Sequence, residues 1–184
     1  MPGELRPFAE RLLAWYDLHG RSDLPWQHPR TPYRVWISEV MLQQTQVKTV
    51  IPYFERWMRS FTNVVSLAAS SLDDVLSHWS GLGYYARARS IHRTAYSCVE
   101  WHGRTLPATA DELAALPGIG ASTANAIISQ STDQPMAVLD GNVKRLLARH
   151  TATEGWTGST AVQRRLWAEA EGRLPEDRGA DYTQ

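Results

Sequence analysis

Apolar residues recur at three- and four-residue intervals along most of the chain, and period-two alternation is almost absent. That pattern predicts amphipathic helices rather than half-buried strands. Over residues 5–19, Leu5, Phe8, Leu12, Trp15 and Tyr16 fall on one side of a helix closed by Gly20, followed by the polar, proline-rich loop RSDLPWQHPRTP. Thr31 is a suitable N-cap with Pro32 at the first helical position, where a missing N–H costs nothing. That helix is expected to run to about Gln43, and Thr45 opens another that bends near Pro52 or begins there in earnest. Ser71, with Asp73 and Asp74 behind it, marks a further start whose end Gly81 and Gly83 bracket. YYARARSIHRTAYSCVEWHG reads as one helix ending at Gly103, and Thr109 with Glu112 forms a capping box before LAAL. PGIGASTANAIIS is a glycine hairpin leading into a helix, MAVL a brief extended piece, and DGNVKRLLARH and STAVQRRLWAEAEG are the last two helices. The expected fold is all-α, with about nine short helices and no fixed-period repeat or low-complexity tract.

Composition adds exclusions. The chain has 184 residues, enough for one substantial domain or two small lobes that share a core. No apolar run approaches the ~20 residues of a membrane span, and the N-terminal stretch has no apolar segment after a basic start, so neither a membrane nor a secretory route is expected. A single cysteine, Cys98, excludes an intrachain disulfide and a cysteine-only metal site. An intracellular, reducing location is therefore expected, cytoplasm or nucleoid in a bacterium. Formal net charge is zero, which argues against binding nucleic acid by bulk electrostatics but not by backbone amides and a few placed cations.

LPGIG, residues 116–120, is a candidate for such binding. Gly118 and Gly120 allow a tight turn and close approach of a partner, and Leu116 and Ile119 belong to the same hairpin. The helix that begins at once presents N–H groups without internal acceptors, which suits a phosphodiester. The plainer alternative is a helix–helix corner. The hairpin, followed by STANAI and VLDGNVKR, resembles the helix–hairpin–helix DNA glycosylases, in which a Gly/Pro-rich stretch and an aspartate come next. The aspartate here is Asp140.

Hydrolysing an N-glycosidic bond needs a proton for the leaving base and a negative group near an oxocarbenium-like sugar. Two carboxyls in different environments divide these tasks. Glu39 sits beside apolar stripes made by Tyr33, Trp36, Ile37 and Val40 on one face and Val35 and Leu42 on another, so a raised pKa is expected. Its alternative is a solvent-facing helical glutamate. Asp140 is also a natural N-cap, and a capping carboxylate stays ionised because it accepts backbone N–H bonds.

Four long segments in order, LPWQHPRTPYRVWISEVMLQQTQVKTVIPYFERW, GLGYYARARSIH, LPGIGASTANAI and LDGNVKRLLAR, are similar to the adenine DNA glycosylases of the MutY type. The likeness runs from about residue 8 to the end. It implies a helix–hairpin–helix glycosylase fold, with a six-helix lobe over 31–136 and a second, incomplete lobe made by 1–30 and 137–184. It implies a monofunctional enzyme that flips and removes adenine mispaired with 8-oxoguanine or guanine in double-stranded DNA, and acts as a monomer. Glu39 would protonate adenine and Asp140 would stabilise the cation, supported by Asn142 and Ser122. Tyr84 would be a wedge, and Gln43 and Gln44 would enter the gap left by the flipped base; the plainer reading of Tyr84 and Tyr85 is core packing, expected here for Tyr85. Lys144 would lie at the DNA without being the nucleophile. By their own chemistry, Arg87 and Arg89 are expected to meet phosphates or a carboxylate rather than bases. Trp26, Gln27 and Gln184 would belong to the adenine pocket, Trp26 being equally suited to the core.

The family's four-cysteine 4Fe–4S site and its C-terminal domain for 8-oxoguanine have no counterpart in this sequence, so no metal site or cofactor is expected in it; the sequence reads as the N-terminal catalytic part of such an enzyme. Two further readings remain: a glycosylase-lyase of the endonuclease III type, which would carry a lysine where Ser122 stands, and a DNA-binding module without catalysis.

Overall fold

The computed structural model describes residues 7–184. Eleven helices and no strand occur among the described residues: α1 (Phe8–His19), α2 (Pro32–Leu42), α3 (Val47–Ser60), α4 (Val64–Ala68), α5 (Leu72–Trp79), α6 (Ala86–Trp101), α7 (Ala110–Ala114), α8 (Ala121–Thr132), α9 (Gly141–His150), α10 (Thr160–Glu171) and α11 (Gly179–Thr183). No helix among them is long and apolar enough to cross a membrane.

Local chemistry accounts for most of the starts. The Thr31 side chain accepts the Arg34 N–H ahead of Pro32, Ser71 accepts from Asp74, Thr109 from Glu112, and Ser159 from Val162. The pattern does not predict helix α4, because five residues are too few to display a period. It exists through a reciprocal cap in which Asn63 and Ser66 satisfy each other's backbone N–H. Pro52 lies inside α3, which starts at Val47. Residues 133–140 take no regular structure. Leu5, placed on the first helix by its spacing, lies outside the described residues. Trp15 is also not on a buried face: it is exposed and packs on His19, while Ala9 and Leu13 turn inward.

Two apolar clusters organise the described residues. The larger draws on residues from Leu24 to Ile128 and surrounds α2, where Tyr33, Val35, Trp36, Ile37, Ser38, Val40 and Met41 are all buried. The buried stripes expected on α2 thus close almost into a full ring, which makes it the central helix. Trp57 and Trp79 meet edge to face, and the Trp57 indole N–H donates to the Tyr33 hydroxyl, which donates to the Phe61 carbonyl. Buried aromatic polar ends are thereby paired. Leu24 and Trp26, although they precede residue 31, belong to this cluster. The smaller cluster joins Ala137, Leu139, Leu147, Val162, Leu166 and Ala170.

Ion pairs and hydrogen bonds bring the two ends of the described chain together. Arg178 pairs with Asp17 on α1 and Asp181 on α11, and Arg30 reaches Asp181 at 3.1 Å. The buried Ser129 hydroxyl donates to the Gly179 carbonyl at 2.9 Å and meets the Thr183 hydroxyl, fixing α11 on α8. A cavity of about 660 Å³ opens where α1, α2, α8, α9 and α11 converge.

Candidate active site

Glu39, Ser122, Gln130, Asp140, Asn142 and Gln184 all line that cavity. Glu39 comes from the middle of α2, so the same packing that buries its neighbours removes water from its carboxyl. Burial is the first cause that lifts its pKa to about 7, with the nearby charge of Asp140 adding to the rise. One contact opposes it: the Gln130 amide Nε2 donates to Glu39 Oε1 at 2.7 Å. Glu39 is therefore not a solvent-facing helical glutamate, and near neutral pH its carboxyl is poised between its two forms.

Asp140 caps α9. Its Oδ1 accepts the N–H groups of Asn142 at 2.9 Å and Val143 at 2.8 Å, and the Asn142 side-chain amide lies 3.5 Å from Oδ2. Capping and membership of the cavity are simultaneous properties of one carboxylate. Two side chains of α8 hold the irregular segment that delivers it: Ser122 Oγ accepts the Leu139 N–H at 3.0 Å, and Asn125 Nδ2 donates to the Ala137 carbonyl at 2.7 Å. Ser122 is thus occupied by the backbone next to Asp140. Lys144, half-buried on α9, is not among the residues lining the cavity.

The hairpin divides its work unevenly. Gly118 has φ +79°, and a Cβ there would stand 2.6 Å from Ser90 Cβ on α6. Gly120 adopts an ordinary extended backbone, φ −93°, with open space where a Cβ would go. Only Gly118 needs glycine for the turn itself; Gly120 leaves the uncapped start of α8 clear. Leu116 and Ile119 are buried in the large cluster, because the hairpin must be seated by apolar side chains. Their side chains are part of the core.

Other expected residues sort clearly. Gln43 and Gln44 are exposed beyond α2, Gln44 with φ +58°. Tyr84 is 63 % exposed with φ +49°, a strained value for a tyrosine, and its ring lies over the Arg87 guanidinium. Tyr85 is also exposed, so it is not a core residue; it sits at the N-cap of α6, which turns it outward. The Arg87 guanidinium donates to the carbonyls of Val40, Met41 and Gln43 and to those of Leu82 and Gly83, satisfying the end of α2, with no carboxylate among its partners in the described residues. Arg89 is exposed. Trp26 is both core and cavity wall, 1 % exposed and packed edge-on against Phe54. Gln27 does not line the cavity. It is buried and bonded to Leu24 N–H and the Arg21 carbonyl, because the 20–30 loop needs partners for its own backbone.

Gln130, Asn125 and Ser129 make contacts at or beside the cavity that the sequence alone does not reveal. Their one signal was the run of polar residues on an otherwise buried helix, and their partners lie 91, 12 and 50 residues away. The residues present do not fit a 4Fe–4S cluster: Cys98 is buried in α6 with its thiol pushed up to about 11, and no group of three metal-ligating side chains occurs among the described residues.

The HhH-GPD superfamily of base excision DNA repair proteins matches residues 37–171, and the chain belongs to it. Among curated relatives, the adenine DNA glycosylase of Buchnera aphidicola subsp. Schizaphis graminum is 47 % identical over 160 residues, covering 87 % of this chain and 46 % of the relative. Those of Mus musculus and Homo sapiens are 44 % and 43 % identical over 190 residues, covering 98 % of this chain and 37 % and 35 % of theirs. The chain thus spans about half or less of the length of the relatives it matches. In fold it resembles a thermostable thymine-DNA glycosylase (TM-score 0.86, 21 % identity, covering 96 % of this chain and 81 % of that one). It also resembles endonuclease III in a non-covalent DNA complex (TM-score 0.76, 19 % identity, covering 95 % and 78 %).

Proposed function

We propose that this chain carries the catalytic chemistry of an adenine DNA glycosylase, hydrolysing the N-glycosidic bond of adenine mispaired with 8-oxoguanine or guanine in duplex DNA. The observation that carries this reading is the pairing of opposite needs in one cavity. Glu39 has a pKa raised to about 7 by burial, while Asp140 is held by backbone N–H bonds. A volume of about 660 Å³ lies within the ~300–1,000 Å³ of small-molecule sites and accommodates an extruded nucleoside.

In this reading the protonated Glu39 gives its proton to the departing adenine as the base–sugar bond breaks. The Asp140 carboxylate faces the resulting oxocarbenium ion, and water supplies the oxygen that completes hydrolysis at the sugar. Asn142 orients Asp140 through its side-chain amide. The start of α8 behind Gly118 and Gly120 accepts a phosphate, Tyr84 wedges beside the opposite base, and Gln43 and Gln44 offer amide donors and acceptors to the exposed base edges. Gln184 and Trp26 bound the pocket for adenine.

The competing glycosylase-lyase reading requires an amine as nucleophile. Ser122 holds Leu139 instead, and Lys144 lies off the cavity lining, which favours plain hydrolysis. A single-turnover assay separates the readings, using duplex DNA with adenine opposite 8-oxoguanine, analysed with and without alkali. Hydrolysis predicts strand breaks only after alkali, and none from Glu39→Gln. Breaks without alkali point to a lyase, and binding without breaks in either protein points to a non-catalytic module.

A further inference from the structure

The contact between α8 and α2 has a direction that bears on where the acid's proton resides. Gln130 is only 4 % exposed, and its amide nitrogen lies 2.7 Å from Glu39 Oε1. Glu39 Oε2 receives no protein donor among the described residues and is not sealed from the cavity. An amide N–H has only one use beside a carboxyl, to donate, so the oxygen it engages is the one that cannot simultaneously bear the hydroxyl hydrogen toward it. We infer that Gln130 is a positioning residue for Glu39: by donating to Oε1 it reserves that oxygen as the acceptor and leaves Oε2 to carry the transferable proton.

This inference rests on the reading of Glu39 as the acid, and it adds a residue that the resemblance did not supply. Orientation is the gain. A carboxylic acid free to rotate presents its hydroxyl in several directions, whereas one oxygen pinned by a buried amide presents the other in a fixed place. The donated bond also steadies the ionised form that exists after proton transfer, opposing the effect of burial. The remaining charged and titratable groups around the cavity are Asp140 ahead of α9, Tyr16 and His19 on α1, Arg21 in the loop after it, and Asp181 and Tyr182 on α11. Asp181 is already paired with Arg30 and Arg178. Arg87, packed against the end of α2 from α6, is directed at carbonyls. Of these, Asp140 alone contributes to the Glu39 shift, and in the opposite sense to Gln130.

The test is a titration of the Glu39 carboxyl by 13C NMR on the full 184-residue chain, its resonance identified by loss in Glu39→Gln. Gln130→Met keeps the side-chain length without the donor. The midpoint is expected to rise by about one pH unit in that variant, the worth of one hydrogen bond to a charged group. The basic limb of the single-turnover pH profile is expected to move with it. A fall in the midpoint would mean that the amide oxygen accepts from the neutral acid, and an unchanged midpoint would mean no coupling; either overturns the inference. The unaltered protein supplies a second measurement that does not depend on the variant folding. The Gln130 side-chain N–H resonances must move downfield with the same midpoint as Glu39, and resonances that stay flat or move upfield contradict the inference. Retention of glycosylase activity by Glu39→Gln would instead remove the catalytic reading while leaving these titrations as they are.

Discussion

The Ser122 hydroxyl accepts the Leu139 amide proton at 3.0 Å, one residue ahead of the Asp140 carboxylate. Residues 133–140 have no ladder or helix of their own to hold them, so beyond the burial of Ala137 and Leu139 the segment next to Asp140 is held on α8 by this bond and by Asn125, which donates to the Ala137 carbonyl at 2.7 Å. Ser122→Ala leaves the buried Leu139 N–H without a partner, at a cost of about 1–3 kcal/mol. Ser122→Ala and Asn125→Ala are each expected to lower the single-turnover rate, and the double variant to lower it by more than either alone. Chemical denaturation gives the stability loss and glycosylase kinetics give the rate; a double variant as fast as the unaltered chain would show that the segment is held elsewhere.

Gly118 and Gly120 are expected to respond differently to the same small change. Gly118→Ala meets both a positive φ and the Ser90 Cβ at 2.6 Å, so a stability loss of about 1–3 kcal/mol is expected. Gly120→Ala meets no neighbour and no backbone strain, so its melting temperature is expected to stay unchanged. Its methyl group nevertheless stands at the start of α8, where a phosphate must approach, and duplex affinity is expected to fall. Thermal melts and fluorescence-anisotropy titrations on a short duplex separate the two effects. Equal stability losses would refute this division of roles.

Glu39 imposes a pH-dependent cost on the fold. Its pKa rises from 4.5 to about 7 on folding, so the folded state holds the proton more tightly than the unfolded chain. The contribution is fully favourable below about pH 4.5 and is lost as pH rises through 7, where the folded state must carry a desolvated carboxylate. Glu39→Gln keeps a neutral side chain at all pH values. It is expected to be more stable than the unaltered chain at pH 8, by at most about 3 kcal/mol, with the advantage disappearing toward pH 4.5. Denaturation midpoints at pH 5 and pH 8 decide this, and an advantage that is constant across that range would contradict it.

These expectations also mark what the sequence made legible. Caps are written in three or four adjacent residues, so Thr31 with Pro32, Ser71, Thr109 and Asp140 are readable as helix starts. Glu39 is readable because an ionisable residue among Ile37, Val40 and Met41 is conspicuous in a line of sequence. Its partner is not, since Gln130 differs from any other glutamine only through a contact made 91 positions away. Arg87 is opaque for the same reason: nothing local says that a guanidinium will be absorbed by the last carbonyls of α2. Leu116 and Ile119 are legible only in part: their motif marks the hairpin, while the burial of their apolar side chains in the core is a tertiary fact.

In the proposed reaction Glu39 is an acid that must be protonated when the glycosidic bond breaks. The most direct test is the single-turnover rate of adenine release from an A·8-oxoguanine duplex, followed from pH 5 to pH 9 in the unaltered chain and in Glu39→Gln. The rate is expected to decline as pH rises through about 7, by about tenfold per pH unit well above it, with no release from Glu39→Gln. A rate independent of pH across that range, or a Glu39→Gln protein that releases adenine as fast as the unaltered chain, would contradict it.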